Sequence, residues 1–233
     1  SEMFMSIAAN FLGGPDGRES LMRKDGTSLC YNSQKVVSAF QTIEDLKPFL
    51  PKDAATINSQ NSKELFFKGQ AVMLFGGSWD LQTVSENADF AWGVFAVPSP
   101  TLQTYVIFQP DVGIGINRES AHPEEALLFL EWMMSKEAVD LTAENLAGFY
   151  PLNKNGTSKS SGVNDEKFLK LVNTYEGDIR WMYTEISSKI PSAAAIIRDD
   201  LYNMVAFDLT PQEAAQHLQS GLGEWYEPAQ SCK

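Results

Sequence analysis

The stretch that most restricts the fold is 66–80, with the sequence FFKGQAVMLFGGSWD. Gly69 ends a short amphipathic segment, and the apolar run 70–75 that follows is typical of a buried strand. Gly76 and Gly77 then predict a tight turn, because glycine adopts backbone conformations that other residues avoid. A helical segment, a strand and a glycine turn in succession favour an α/β or α+β domain.

The same turn presents Trp79 next to Asp80. The apolar face of a sugar ring can stack on an indole, and the sugar hydroxyls can donate hydrogen bonds to a carboxylate. An isolated aromatic residue in a turn can equally pack beneath its own loop. Tyr150 and Trp181 also lie in or beside turns, so sequence position alone leaves both interpretations open for all three rings.

Apolar residues at helical spacing predict helices along most of the chain. We expect helices at 1–12, 33–50, 62–67, 79–86, 121–134, 136–147, 164–176, 191–206 and 211–226. Extended apolar runs predict strands at 70–75, 90–97 and 105–116. The glycine-rich residues 13–17 predict a turn. The last helix should begin with a capping box between Thr210 and Glu213, with Pro211 at its first position.

Composition excludes several classes of protein. The 233 residues are 43% hydrophobic, which is enough for a sizeable core, and the net charge of −12 disfavours nucleic acid and anionic membranes as partners. No apolar run is long enough to span a bilayer. Glu2 and Asn10 interrupt the N-terminal apolar stretch, so we expect no signal peptide within it. Cys30 and Cys232 could form one disulfide, and the sequence leaves their pairing open.

Catalytic signatures are missing from the sequence. It has no G-x-S-x-G, H-E-x-x-H, C-x-x-C or Walker A pattern. The two histidines, His122 and His217, are far apart, and each is expected on the surface of a helix. Two histidines and two distant cysteines make a poor metal site. We therefore expect a protein that is not an enzyme and has no cofactor or metal.

Three stretches match one family pattern in the right order. The first, 66–79, follows F-x-x-G-x-A-M-x-x-x-G-x-W. The second, 113–151, combines GIGIN, the helix start SAHPEEA and the turn GFYP, and the third, 209–215, reads LTPQEAA. Together they resemble extracellular solute-binding protein family 1, the maltose-binding-protein-like binding proteins of ABC sugar importers.

This resemblance implies a periplasmic-binding-protein-like fold of type II, which is an α/β fold with two lobes. By this comparison 1–100 is the first part of the C-terminal lobe, 101–146 is a segment of the N-terminal lobe, and 147–233 is the second part of the C-terminal lobe. The missing N-terminal lobe of the same protein would then be a partner of this chain. Without it, the apolar segment 101–146 should repack or pair with another chain.

The resemblance also implies an extracytoplasmic protein, periplasmic or lipid-anchored on the cell surface. It would hold a mono- or oligosaccharide in a cleft between lobes and then dock on the membrane subunits of an ABC permease. The implied ligand-binding residues are Trp79, Asp80, Asp111, Gly113, Tyr150, Trp181 and Arg198. Helix capping is the rival role for Asp80. Ala194 and Ala195 replace aromatic residues of the family, and Trp181 could supply the ring that they remove.

Three alternatives remain at this level. The same fold could bind a polyamine, iron or a phosphorylated compound, which would require carboxylates or cationic groups beside the aromatic rings. The chain could be a fragment of a carbohydrate-active enzyme, with two carboxylates across a cleft. It could also be an interaction domain in which Trp79 is buried.

Overall fold

A computed structural model describes residues 1–101, 103–108, 113–146, 148–150 and 163–232. The chain divides into two compact units, and it passes from one to the other four times. Unit 1 contains residues 1–58, 96–109 and 172–233, and unit 2 contains residues 59–95 and 110–171. This division differs from the three consecutive parts predicted above, because 59–95 groups with 110–171. The assignment of either unit to a lobe stays a prediction.

Unit 1 is built mainly from helices. They are α1 (Glu2–Leu12), α2 (Gly14–Met22), α3 (Gln34–Leu46), α9 (Ala193–Phe207), α10 (Pro211–Gly223) and α11 (Glu227–Ser231). Helix α3 packs against both α1 and α10, and α10 also packs against α9. Val36, Phe40 and Ile43 recur on one face of α3 and are buried, and Phe40 stacks on Phe4 of α1 with ring centroids 4.2 Å apart.

The structure confirms helical segments at both ends of the chain. Helix α3 ends at Leu46, four residues before its predicted end, and a 3-10 turn at Lys47–Phe49 follows. The predicted capping box at Thr210 is present, since the Thr210 amide donates to Glu213 Oε2 at 2.9 Å. The turn predicted at 13–17 is wrong in part: only Gly13 is a turn residue, in a left-handed conformation, and α2 begins at once.

A two-stranded parallel sheet lies in unit 1. Strand β1 (Tyr105–Phe108) pairs with β2 (Glu176–Ile179), with Tyr105 opposite Glu176. The buried side chain of Asn10 holds the other edge of β1: the Tyr105 amide donates to its Oδ1 at 2.9 Å, and its Nδ2 donates to the Tyr105 carbonyl at 3.3 Å. Asn10 therefore replaces a neighbouring strand at this position.

The strand predictions are largely wrong. Of the predicted strand 105–116, β1 forms and 113–116 is not a strand, while 109–112 lie outside the described residues; neither 70–75 nor 90–97 is a strand. A strand requires a hydrogen-bonded partner along its backbone. Within the described chain, 70–75 and 90–97 have no paired strand, and Val72 is 94% exposed. The two segments are apolar in sequence, but in the structure their backbones do not pair with another strand.

Unit 2 contains helices with little buried apolar surface of their own. They are α4 (Ser59–Phe67), α5 (Leu81–Asn87), α6 (Pro123–Met133), α7 (Lys136–Asn145) and most of α8 (Val163–Thr174). From Ala126 to Met133 helix α6 is apolar except for Glu131, yet none of its residues is buried. Leu128 is exposed, and Phe129 and Trp132 stack on each other at 5.8 Å. A helix with this composition ordinarily lies in a protein interior.

A disulfide joins Cys30 to Cys232, 202 positions later in the sequence. This settles the pairing that the sequence left open. Nearby, Ser28 Oγ donates to the Pro228 carbonyl at 2.7 Å and Gln219 Nε2 donates to the Ala229 carbonyl at 2.7 Å. Helix α11 is thus attached to unit 1 by a covalent bond and by hydrogen bonds.

Candidate ligand-binding turn

The turn at 76–80 positions Trp79 as the sequence predicted. Ser78–Asp80 forms a 3-10 turn, and α5 begins immediately after it. The indole folds back over the backbone of Gly77, because a Cβ atom on Gly77 would lie 2.4 Å from ring carbon Cη2 of Trp79. Trp79 is 44% exposed. One part of the ring is supported by the glycine backbone, and the remainder is available to a ligand.

A second turn, at Gly148, packs against the turn that carries Trp79. Gly148 has φ of +82°, and a Cβ atom on it would lie 1.7 Å from the carbonyl oxygen of Ser78. The backbone at Gly148 therefore packs directly on the backbone at Ser78–Trp79, an approach that only glycine permits. The structure brings together two stretches predicted to carry ligand contacts, the Trp79 turn and the Tyr150 turn. Tyr150 is half-buried and stacks on Phe168 at 6.1 Å.

Asp80 serves as a structural support for this turn. It is 6% exposed, its Oδ1 lies 2.5 Å from the Lys63 ammonium nitrogen, and its Oδ2 accepts a hydrogen bond from the Gly77 amide at 3.2 Å. Asp80 does not cap α5 with its side chain, which was the rival interpretation; it instead stabilises the start of the 3-10 turn by accepting from the Gly77 amide. Both oxygens are engaged within unit 2, so a ligand would have to compete for them. Lys63 precedes Asp80 by 17 positions, and nothing in the sequence indicated the pair.

Two of the predicted contacts lie on the segment that returns into unit 2. Asp111 lies outside the described residues. Gly113 is exposed outside any helix or strand, and a Cβ atom added to it would meet no heavy atom within 4 Å. Unlike Gly77 and Gly148, Gly113 occupies open space where any side chain would fit.

In unit 1 the prediction for Trp181 needs correction. Its side chain is fully buried in the core of unit 1, so its ring is covered by protein and is unavailable for stacking. It begins a three-residue 3-10 turn, Trp181–Tyr183. The ring of the last residue of this turn, Tyr183, is exposed. The turn at Trp181 was predictable from the sequence, but the burial of its ring was not, because a stretch of three residues shows no periodicity that identifies its buried side.

Arg198 lies on the outer face of α9. Its guanidinium is largely exposed and donates from Nε to Asp199 Oδ1 at 3.1 Å. With Asp199, Tyr202 and Asn203 it lines a shallow, open groove along the helix. The groove offers charged and aromatic groups to a ligand but little enclosure.

Sequence analysis did not anticipate the pair formed by Asp200 and His217. Asp200 is buried on α9, and its Oδ1 lies 3.0 Å from Nδ1 of the half-exposed His217 on α10. Burial raises the pKa of the Asp200 carboxyl, and the hydrogen bond from His217 offsets part of that effect. The pair joins two helices and, because the carboxylate is buried, makes their packing sensitive to pH.

Two properties of the described residues bear on function. No three His, Cys, Asp or Glu side chains in this part of the chain lie close enough together to hold a metal ion. Among the described helices, none has the length and apolar character needed to cross a membrane.

Comparison with known proteins gives one informative match. No curated protein matches the chain. A family model does match: that of the bacterial extracellular solute-binding proteins aligns with residues 4–140. The match includes α1, the Trp79 turn and α6, which belong to both units. Since it spans more than half of the 233 residues, this chain belongs to the bacterial extracellular solute-binding protein family.

Proposed function

We propose that the chain is the carbohydrate-recognising part of a binding protein that delivers a mono- or oligosaccharide to the membrane subunits of an ABC permease. Family membership supports solute binding outside the cytoplasm for ABC import. The choice of a sugar rests on one observation above all. Trp79 is a half-exposed indole that two glycine turns hold in place. A ring fixed before the ligand arrives loses little conformational entropy on binding.

The charges beside Trp79 favour a neutral ligand. A polyamine or a metal ion would need available carboxylates, and the neighbouring carboxylate, Asp80, is buried and paired with Lys63. A phosphorylated ligand would need available cations, and Lys63 is held in the same pair. A neutral sugar needs only the apolar face of the ring and hydrogen-bonding groups at its edge. Gly113, Tyr150, Asp111 and Arg198 stay in the proposal as further contacts, and Asp80 enters it as a support for the turn.

This protein would bind its ligand without changing it. Hydrolysis of a glycosidic bond needs two carboxylates that act together across the sugar. The carboxylate next to Trp79 is instead committed to holding the turn. The carbohydrate-active enzyme fragment is therefore the less favoured alternative.

The disulfide supports an extracytoplasmic location, in a periplasm or on the cell surface. Disulfides persist in oxidising compartments and are rare in the reducing cytosol. The Cys30–Cys232 bond closes a loop of 202 positions and ties the end of the chain to unit 1. It is the kind of bond expected in an exported protein, and it agrees with the location that the family implies.

We further propose that another portion of the same protein covers the apolar surface of unit 2. This surface consists of exposed side chains on α6 and on the extended segment after α4: Leu127, Leu128, Phe129, Trp132, Val72 and Met73. Apolar patches of this kind ordinarily mark contact with other protein surface. A longer product of the same gene should bind less hydrophobic dye per molecule than this chain does. Equal dye binding by the two would contradict the proposal.

A thermal-shift screen tests the choice of ligand. We expect a neutral saccharide from a broad panel to raise the melting temperature of the longer gene product, because a ligand that binds only the folded state stabilises it. Spermidine, ferric citrate and glucose 6-phosphate represent the charged alternatives and should not raise it. A shift with one of these alone would favour a non-sugar solute, and no shift with any saccharide would reject the sugar proposal.

A further inference from the structure

The 3-10 turn Trp181–Tyr183 is firmly anchored in unit 1. Trp181 and Met182 are fully buried, the Tyr183 amide donates to the Arg180 carbonyl at 3.1 Å, and the Thr184 amide donates to the Trp181 carbonyl at 3.1 Å. The turn therefore has a fixed position relative to the core. Its last residue, Tyr183, is 48% exposed.

Two charged side chains hold the ring of Tyr183 in place. The central guanidinium carbon of Arg180 lies 4.7 Å from the ring centroid, and the Tyr183 hydroxyl donates to Glu2 Oε1 at 3.3 Å. Arg180 Nη2 also pairs with Glu2 Oε1, at 2.5 Å. We call these three side chains, Glu2, Arg180 and Tyr183, the Tyr183 platform. Each contacts the other two, so the exposed ring is held at both its face and its hydroxyl end.

The geometry points to the Tyr183 platform as a second sugar-contacting surface, located in unit 1. This inference rests on the proposed function and extends it by naming a stacking residue that neither the sequence motifs nor the family match identified. A pyranose ring would stack on the face of Tyr183 that Arg180 leaves open. Its hydroxyls could accept hydrogen bonds from the guanidinium and donate to the Glu2 carboxylate.

The chemistry of the platform favours a neutral polyhydroxylated ring over other ligands. The charges of Glu2 and Arg180 cancel within the ion pair, so neither an anion nor a cation meets a net opposite charge. A purely apolar ligand would cover the pair without hydrogen-bonding to it, and that costs free energy. A sugar satisfies both requirements, since it has an apolar ring face and a hydroxylated edge.

The test uses the 233-residue chain and ligand-observed saturation-transfer NMR. Glucose, xylose, cellobiose and maltotriose are titrated at millimolar concentration to obtain a dissociation constant. Tyr183→Ala removes the stacking face and should weaken binding by about three- to tenfold. Tyr183→Phe keeps the ring and should retain most of the affinity, whereas Tyr183→Leu keeps bulk without an aromatic face and should resemble Tyr183→Ala.

Phe49→Ala is the matched control, since Phe49 is an exposed aromatic residue of unit 1, on the 3-10 turn after α3, and belongs to no proposed site. It should leave the dissociation constant unchanged. If Tyr183→Ala binds as the wild type does, or if Phe49→Ala is the variant that loses affinity, the platform is not a sugar-contacting surface while the Trp79 proposal stands. If no saccharide binds the wild-type chain, both proposals fail for this chain.

Discussion

Gly148 shows how one residue can determine the shape of a site far from it in sequence. Its backbone contacts the carbonyl of Ser78, and its φ of +82° is one that a side chain opposes. Gly148→Ala should cost about 2–4 kcal/mol of unfolding free energy, from left-handed strain together with a backbone clash. Gly113→Ala is the control, because Gly113 has open space around it, and it should change stability by less than about 0.5 kcal/mol. Denaturant unfolding of both variants measures this, and equal stabilities would show that the two turns do not pack as described.

Asp200 gives a prediction for pH dependence. Burial raises its pKa in the folded chain, so its contribution to stability is fully present below the unfolded value of about 3.9 and is lost as pH rises through the folded value. Above that range the folded protein buries a charge. Asp200→Asn has no such charge, so relative to wild type it should gain stability as pH rises from about 3.5 to 7. Urea unfolding across this range is the measurement, and a constant difference between the two proteins would contradict the account.

Trp79, Trp181 and Asp80 show what the sequence could and could not reveal at this scale. The position of Trp79 in an exposed glycine turn was predictable, because the glycines and the indole are adjacent in sequence. The burial of Trp181 and the pairing of Asp80 with Lys63 were not predictable. Both depend on which side of a short turn faces the protein, and that is decided by elements distant in sequence.

At the scale of elements, helices were predicted well and strands poorly. Helices α3 and α10 carry their own signals, a periodic apolar face and a capping box, which act between residues three or four positions apart. A strand is stabilised only by a partner that can lie anywhere in the chain. Strand β2 illustrates this: Glu176–Ile179 has no apolar alternation, yet it pairs with β1 from 71 residues earlier.

The attachment of α11 gives a prediction about an element. The Cys30–Cys232 disulfide restrains the unfolded chain, so its reduction should cost about 2–4 kcal/mol of unfolding free energy. The double variant Cys30→Ser with Cys232→Ser should show the reduced stability with or without a reducing agent. Thermal unfolding in both conditions makes the comparison. If reduction does not lower the melting temperature of the wild-type protein, the hydrogen bonds of Ser28 and Gln219 are sufficient to hold the tail.

At the scale of the whole molecule, the family match and the surface of unit 2 agree. A member of a solute-binding family is expected to have a periplasmic-binding-protein-like fold. The described chain is mainly helical with a small sheet, which is consistent with part of such a fold. Helix α6 exposes apolar residues that would ordinarily be buried, and the family motifs in the sequence could not have revealed that. The sequence motifs predicted the family. The exposed apolar surface of unit 2 indicates how much of the fold depends on contacts with further protein surface.

The central claim is that Trp79 contacts a sugar, and tryptophan fluorescence of the chain together with the proposed covering portion tests it most directly. A saccharide that raises the melting temperature should produce a saturable change in emission, and Trp79→Ala should abolish that change and the binding. Trp132→Phe removes another indole of the same unit while keeping an aromatic ring on α6, and should leave the response intact. If Trp79→Ala binds the saccharide with wild-type affinity, or if the Trp132 variant is the one that loses the response, Trp79 does not form the binding surface.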